Sequence, residues 1–196
     1  MQYKENKLNK TFLLIVMCVG LAACDKAVEK ISEKAVQKMA EKAIESKLNK
    51  DGSTTKINIG DGTIKSTTTD ANGKTTTSEF GSAAVTEADV GVPFYPGAII
   101  KDGKGTKVIS PDSAMIAVTL ESKDDLEKVT EYYRSKLKAQ SAGRKLMDMS
   151  QAGESAMFSL TDDKNDNNGV TVSLSKHSSD EKATDIMIML NSSKAN

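Results

Sequence analysis

Apolar residues are spaced in several different ways along this chain, and each spacing predicts a different element. Residues 12–23 form an almost unbroken apolar run behind Lys4, Lys7 and Lys10. At about a dozen residues, the run is too short to cross a roughly 30 Å hydrocarbon core as a helix. Residues 25–50 then repeat every four positions: Val28-Glu29-Lys30-Ile31, Ser32-Glu33-Lys34-Ala35, Val36-Gln37-Lys38-Met39, Ala40-Glu41-Lys42-Ala43. With no Pro or Gly before Gly52, and rich in Ala, Glu, Lys and Gln, this segment predicts a helix. Four exceeds 3.6, so its apolar stripe drifts by about 40° per repeat, which argues against a long coiled coil. The reading is an amphipathic surface helix offering Lys26, Lys30, Lys34, Lys38 and Lys42 to anionic headgroups, or a solvated spacer.

Residues 53–82 are rich in Thr, Gly and Asp. Strands are predicted at 55–59, 63–69 and 74–80, turned by Gly60-Asp61-Gly62 and Asp70-Ala71-Asn72-Gly73. Their apolar content is confined to Ile57, Ile59, Ile64 and Phe80, so the segment reads as a short β-meander or a flexible stalk. Folding proper is expected from Val92 onward. Residues 98–101 and 106–109 flank a predicted turn, Asp102-Gly103-Lys104-Gly105. Residues 113–121 alternate as a strand, and Ser122-x-x-Asp125 resembles a helix-capping motif. A helix to about Gln140 follows, with Leu126, Val129, Tyr132, Tyr133 and Leu137 on one face and Gly143 as C-cap. Strands are predicted at 145–150, 155–161, 170–176 and 184–191. The expected fold class is α+β: one helix packed on an antiparallel sheet of about five strands, preceded by the amphipathic helix and the Thr-rich meander.

The last strand is apolar on both sides, with Ile186, Ile188 and Leu190 facing one way and Met187 and Met189 the other. Such a strand is expected to be covered on both faces. The helix covers one. Met115 and Ala117 extend the second face, whose cover would be the 25–50 helix, the meander, a second copy or an external partner. Met115, Met187 and Met189 are therefore the candidate interaction face. Soft thioethers at i,i+2 spacing, as in Met147/Met149 and Met187/Met189, also suit Cu(I) or a small apolar ligand.

Composition removes several classes. Lys plus Arg and Asp plus Glu are both 27, so no net field attracts nucleic acid. Aromatic residues are 4% with no Trp, which leaves little for base or sugar stacking. The single His, His177, sits beside Ser178, Ser179 and Asp180 and reads as a surface-loop residue, and Gly153-x-Ser155-x-Met157 lacks the second Gly of a nucleophile elbow. No catalytic residue is expected. Gly103-Lys104-Gly105-Thr106 lacks phosphate-loop spacing. Asp163, Asn165 and Asn167 alternate like calcium ligands, but Gly169 falls one place late and Leu174 occupies the position of the bidentate acid. No metal site and no cofactor are expected.

The order of Lys-rich start, apolar run and small residues at 22 and 23 marks a secretory signal. Leu21-Ala22-Ala23-Cys24 resembles the lipobox of bacterial lipoproteins. That resemblance implies cleavage before Cys24, acylation (palmitate among the chains) of Cys24, and a lipid-anchored protein of the cell envelope facing the periplasm. Cys18 would leave with the signal, so no thiol or disulfide remains. Asp25 favours inner-membrane retention in lipoproteins of enteric type and Lys26 weakens that signal, so both membranes stay open. Tyr95-Pro96-Gly97-Ala98, a strand, a helix bearing Tyr132-Tyr133 and further strands together resemble small α+β domains of uncharacterised bacterial lipoproteins. The expected organisation is 1–23 signal peptide, 24–52 anchor and helix, 53–91 meander or stalk, and 92–196 globular domain. The expected function is non-enzymatic: a binding module for an envelope protein or for itself, or alternatively a carrier of Cu(I) or a small apolar ligand.

Overall fold

Strand β5 (Ser113–Ser122) sets the pattern of the fold. Its burial alternates, with Ile116, Val118, Leu120 and Ser122 buried on one face and Met115, Ala117, Thr119 and Glu121 on the other. The structure, a computed structural model, describes residues 33–49, 52–151, 153–178 and 180–193. Residues 1–23, Cys24 and residues 25–32, the start of the four-residue repeat, lie outside the described residues. The chain divides into two compact units, 1–36 and 37–196, and the described strands all belong to the second.

In chain order the elements are α1 (Glu33–Leu48), β1 (Thr54–Gly60), β2 (Thr63–Thr69), β3 (Thr75–Gly81), α2 (Glu87–Val90) and β4 (Ile99–Ile109), then β5. After it come α3 (Leu126–Ala139), β6 (Arg144–Asp148), β7 (Ser155–Asp162), β8 (Asn165–His177) and β9 (Asp180–Ser193). The described strands form one nine-stranded sheet in the order β1-β2-β3-β4-β5-β9-β8-β7-β6. Every neighbouring pair is antiparallel.

This corrects the α+β expectation of one helix on about five strands. The described residues are mostly sheet, with few helices. The Thr-rich strands do not need an apolar face of their own, because β3 pairs with β4 and adds them to the edge of the larger sheet. Threonines pair across them, Thr54 with Thr69 and Thr68 with Thr76, and the hydroxyls of Thr55 and Thr68 lie 3.1 Å apart. The turn expected at 102–105 is corrected too. Ile99–Ile100 and Gly105–Ile109 both pair with β5 in one direction, so the chain bulges between Ile100 and Gly105 and does not reverse.

Two covers lie on the Ile116/Val118/Leu120 face. Helix α3 packs on β6, β7, β8 and β9 and buries Leu126, Val129, Tyr133 and Leu137. Phe158, Leu160, Val172, Ile186 and Ile188 complete that half of the core. Its N-cap is Asp125, accepting from Lys128 N, and not Ser122, whose hydroxyl accepts from Asp124 N at 3.1 Å. Its C-cap is Gln140, whereas Gly143 takes φ +69° in the turn into β6. The second cover is the 82–98 segment. It contributes buried Ala83, Val85, Val90, Val92 and Tyr95, and α2 packs on β5 and β9.

The covers are joined by the tyrosines singled out in the sequence. Tyr95 and Tyr132 meet edge to face at 5.0 Å, as do Tyr132 and Tyr133 at 5.2 Å. Tyr95 donates to Asp124 at 2.6 Å, and Tyr132 donates to the Phe94 carbonyl. Burial first, and the Asp124 carboxylate second, push the Tyr95 phenol up to about 12.

Helix α2 is a single turn held by a capping box. Asp89 accepts from Thr86 N at 2.7 Å and from Lys107 Nζ at 3.0 Å. The Thr86 hydrogen bonds, then Lys107, lower its carboxyl from 3.8 to about 2. Because the folded-state value is depressed, the stabilisation is fully present above pH 3.8 and is lost as the pH falls through about 2. Asp89→Asn is expected to cost about 1–2 kcal/mol at neutral pH. Urea unfolding at pH 6 and pH 2 checks this: the gap between wild type and variant should close at the lower pH, and a constant gap refutes the assignment.

Candidate functional site

The face of the sheet opposite the core carries the chemistry that remains. Cross-strand register builds it row by row. Ala117, Met189, Thr171, Ser159 and Met147 lie abreast across β5, β9, β8, β7 and β6, continuing Thr106 of β4. The next row is Thr119, Met187, Ser173 and Met157. Met115 pairs with Asn191 one step the other way. Met115, Met147, Met157 and Met187 are between 37% and 46% exposed, and Met189 is half-buried. Among the described residues nothing covers them.

The three methionines expected to share a face do share one. The cover deduced from the last strand is absent among the described residues, and the reason is two-dimensional. Met187 and Met189 look apolar along β9, but their neighbours on β5 and β8 are Thr119, Ala117, Ser173 and Thr171. From β5 to β6 the two rows are an uncharged mixture of thioether, methyl and hydroxyl groups, which water tolerates. The meander extends the sheet sideways and does not fold over this face. Cys24, the expected lipidation site, lies outside the described residues.

At one end of the uncharged rows sits a group that sequence reading did not assemble. Glu121 on β5 pairs with Asp185 on β9. His177, at the end of β8, brings Nδ1 to 3.1 Å from both oxygens of Asp185. A register shift between Lys176 and His177 aims the ring there. The β4 bulge delivers Lys101, whose ammonium lies 3.0 Å from Glu121, 3.3 Å from Asp185 and 3.4 Å from His177 Nδ1. The Glu121 carboxylate, and less strongly Asp185, hold the Lys101 ammonium above its ordinary value, against desolvation. His177 is thus a half-buried strand residue and not a solvated loop side chain; its own side chain is only 16% exposed. Among the described residues no serine hydroxyl is hydrogen-bonded to it. The signal that could have revealed this group is the charged residue ending each outward alternation: Glu121 after Thr119, Asp185 before Met187.

The other motifs resolve into local structure. Asp162 and Asn165 close the β7–β8 turn by accepting from Lys164 N and Asn167 N, and Asn168 accepts from Ser193 N. Of the three residues spaced like calcium ligands, Asn165 thus spends its side-chain oxygen on a backbone donor of its own turn. A cleft of about 350 Å³ between α3 and the start of β7 contains Arg134, but Asp148 and Glu131 neutralise its guanidinium.

No protein-family model matches the chain, and no curated protein and no solved structure matches it either.

Proposed function

We propose that the chain is a non-enzymatic lipoprotein of the cell envelope, anchored through Cys24, whose sheet presents its open face to a protein surface. Support for the anchor is the Lys-rich start, the apolar run and Leu21-Ala22-Ala23-Cys24. The observation that carries the binding role is the face itself. Its two central rows hold Met, Thr, Ser and Ala with no charge, and charged residues are displaced to the ends of the strands. An uncharged centre with a charged rim is the anatomy of a protein–protein interface. Flexible thioethers adapt to a partner's relief. The paired methionines Met187 and Met189 keep Cu(I) carriage as the second reading.

One experiment separates these. Wild type, Cys24→Ser and Met187→Ser/Met189→Ser are expressed in bacterial cells with radiolabelled palmitate and a membrane-permeant crosslinker. Label and membrane fractionation should be lost only in Cys24→Ser. A crosslinked species should weaken only in the double serine variant. Equal crosslinking in both proteins removes the interface reading, and stoichiometric Cu(I) uptake lost in the double variant would favour carriage instead.

A further inference from the structure

Among the described residues, neither the α3–β7 cleft, the calcium-like turn nor the sheet edges bring three metal-binding side chains together on rigid elements; the charged group at the end of the open face does. We infer that Glu121, His177 and Asp185 form a binding site for a divalent first-row transition metal, with Lys101 as a displaceable plug.

The three side chains offer one nitrogen and two carboxylate donors, with ligand atoms all within 4.8 Å of one another. They come from neighbouring strands β5, β9 and β8, so the sheet fixes their spacing better than a loop would. Donors around a bound first-row ion stand about 2.0–2.2 Å from it. Modest side-chain rotation closes the present separation. The site already holds a cation, since the Lys101 ammonium sits between all three donors at 3.0–3.4 Å. Charge favours exchange. Two carboxylates against one ammonium leave −1 with a neutral imidazole, whereas a dication in place of the ammonium brings the donor set to zero. Lys101 can leave because it rides on a bulge at the open face and its stem is flexible.

Donor chemistry selects the class. A nitrogen with two carboxylates suits Zn²⁺, Co²⁺, Ni²⁺ or Mn²⁺ better than Ca²⁺ or Mg²⁺, which prefer oxygen alone. Three protein ligands leave at least one position for water or for a donor from a docking partner.

The test uses purified, metal-stripped, tag-free protein titrated with Zn²⁺ by calorimetry and with Co²⁺ by visible absorption. One ion per chain is expected. His177→Gln and Glu121→Gln should each weaken binding at least about tenfold, and Lys101→Met should tighten it by a similar factor. Absence of saturable uptake by both wild type and Lys101→Met overturns the site. So does uptake that His177→Gln leaves unchanged, which places the ion elsewhere, and so does a folded Lys101→Met variant that binds no more tightly. If Lys101→Met does not fold, wild type against the two Gln variants decides the matter alone. Neither result depends on lipidation or on the crosslinked species, so this site and the proposed function stand or fall separately.

Discussion

Alanine at both Glu41 and Glu45 is expected to unseat strand β1 and make the protein self-associate. β1 is the outermost strand on its side, and its outward N–H groups would ordinarily be a template for another chain. Here they are occupied by side chains of α1. Ile57 N donates to Glu45 at 2.7 Å and Ile59 N to Glu41 at 2.6 Å, while Thr55 N donates to Asn49. Each step back of four residues along the helix meets each step forward of two along the strand. Four helical residues rise about 6.0 Å and two strand residues about 6.6 Å, so the rungs stay nearly in step for three bonds. Removing two acceptors at a partly wet edge should cost about 1 kcal/mol each. Amide exchange at Ile57 and Ile59 should therefore accelerate about thirtyfold, since 1.4 kcal/mol is tenfold. Sedimentation should show association rising with concentration. Glu→Gln at both positions keeps an acceptor and should behave like wild type. If the Gln pair associates as readily as the Ala pair, the carboxylate charge and not the hydrogen-bond ladder protects the edge.

That ladder explains what the sequence could and could not say about the helix. A four-residue repeat is legible as helix from Ala, Glu, Lys and Gln alone. Its drift around the axis argues against a coiled coil, and the lysine stripe suggests a membrane surface. The acceptors Glu41, Glu45 and Asn49 carry the other message, but it emerges only when the helical period is laid against that of the following strand. The same limit recurs in the sheet. Strands β5, β7, β8 and β9 are legible because each alternates against a buried face, and α3 because Leu126, Val129, Tyr133 and Leu137 share one side. The meander was legible as strands, yet its membership of the large sheet was not, since a backbone ladder leaves no apolar signature. At the candidate sites, Met115, Met187 and Met189 were legible as one face. Glu121, His177, Asp185 and Lys101 were not, because they are joined by register and two bulges.

Gly105 separates the sequence expectation from the structure most sharply. In a hairpin turn at 102–105, alanine there would be tolerated. In the fold described here, the 82–85 segment crosses against β4 and Ser82 bridges to Gly105. An added Cβ would stand 2.1 Å from the Ala83 carbonyl oxygen and 3.0 Å from its carbon. Both are backbone atoms, and moving them drags buried Ala83 and Val85 out of the core. Gly105→Ala is expected to destabilise by at least about 3 kcal/mol, the upper range for overpacking, which lowers Tm by about 6–12 °C in a chain of this size. Gly73→Ala is the control. It has φ +78° with nothing within 4 Å of the new Cβ, so it carries backbone strain without collision and should cost about 1–2 kcal/mol. A Gly105→Ala cost no larger than that of Gly73→Ala would mean the segment does not cross β4. The cover over β5 would then go, and with it the bulge that brings Lys101 to Glu121 and Asp185.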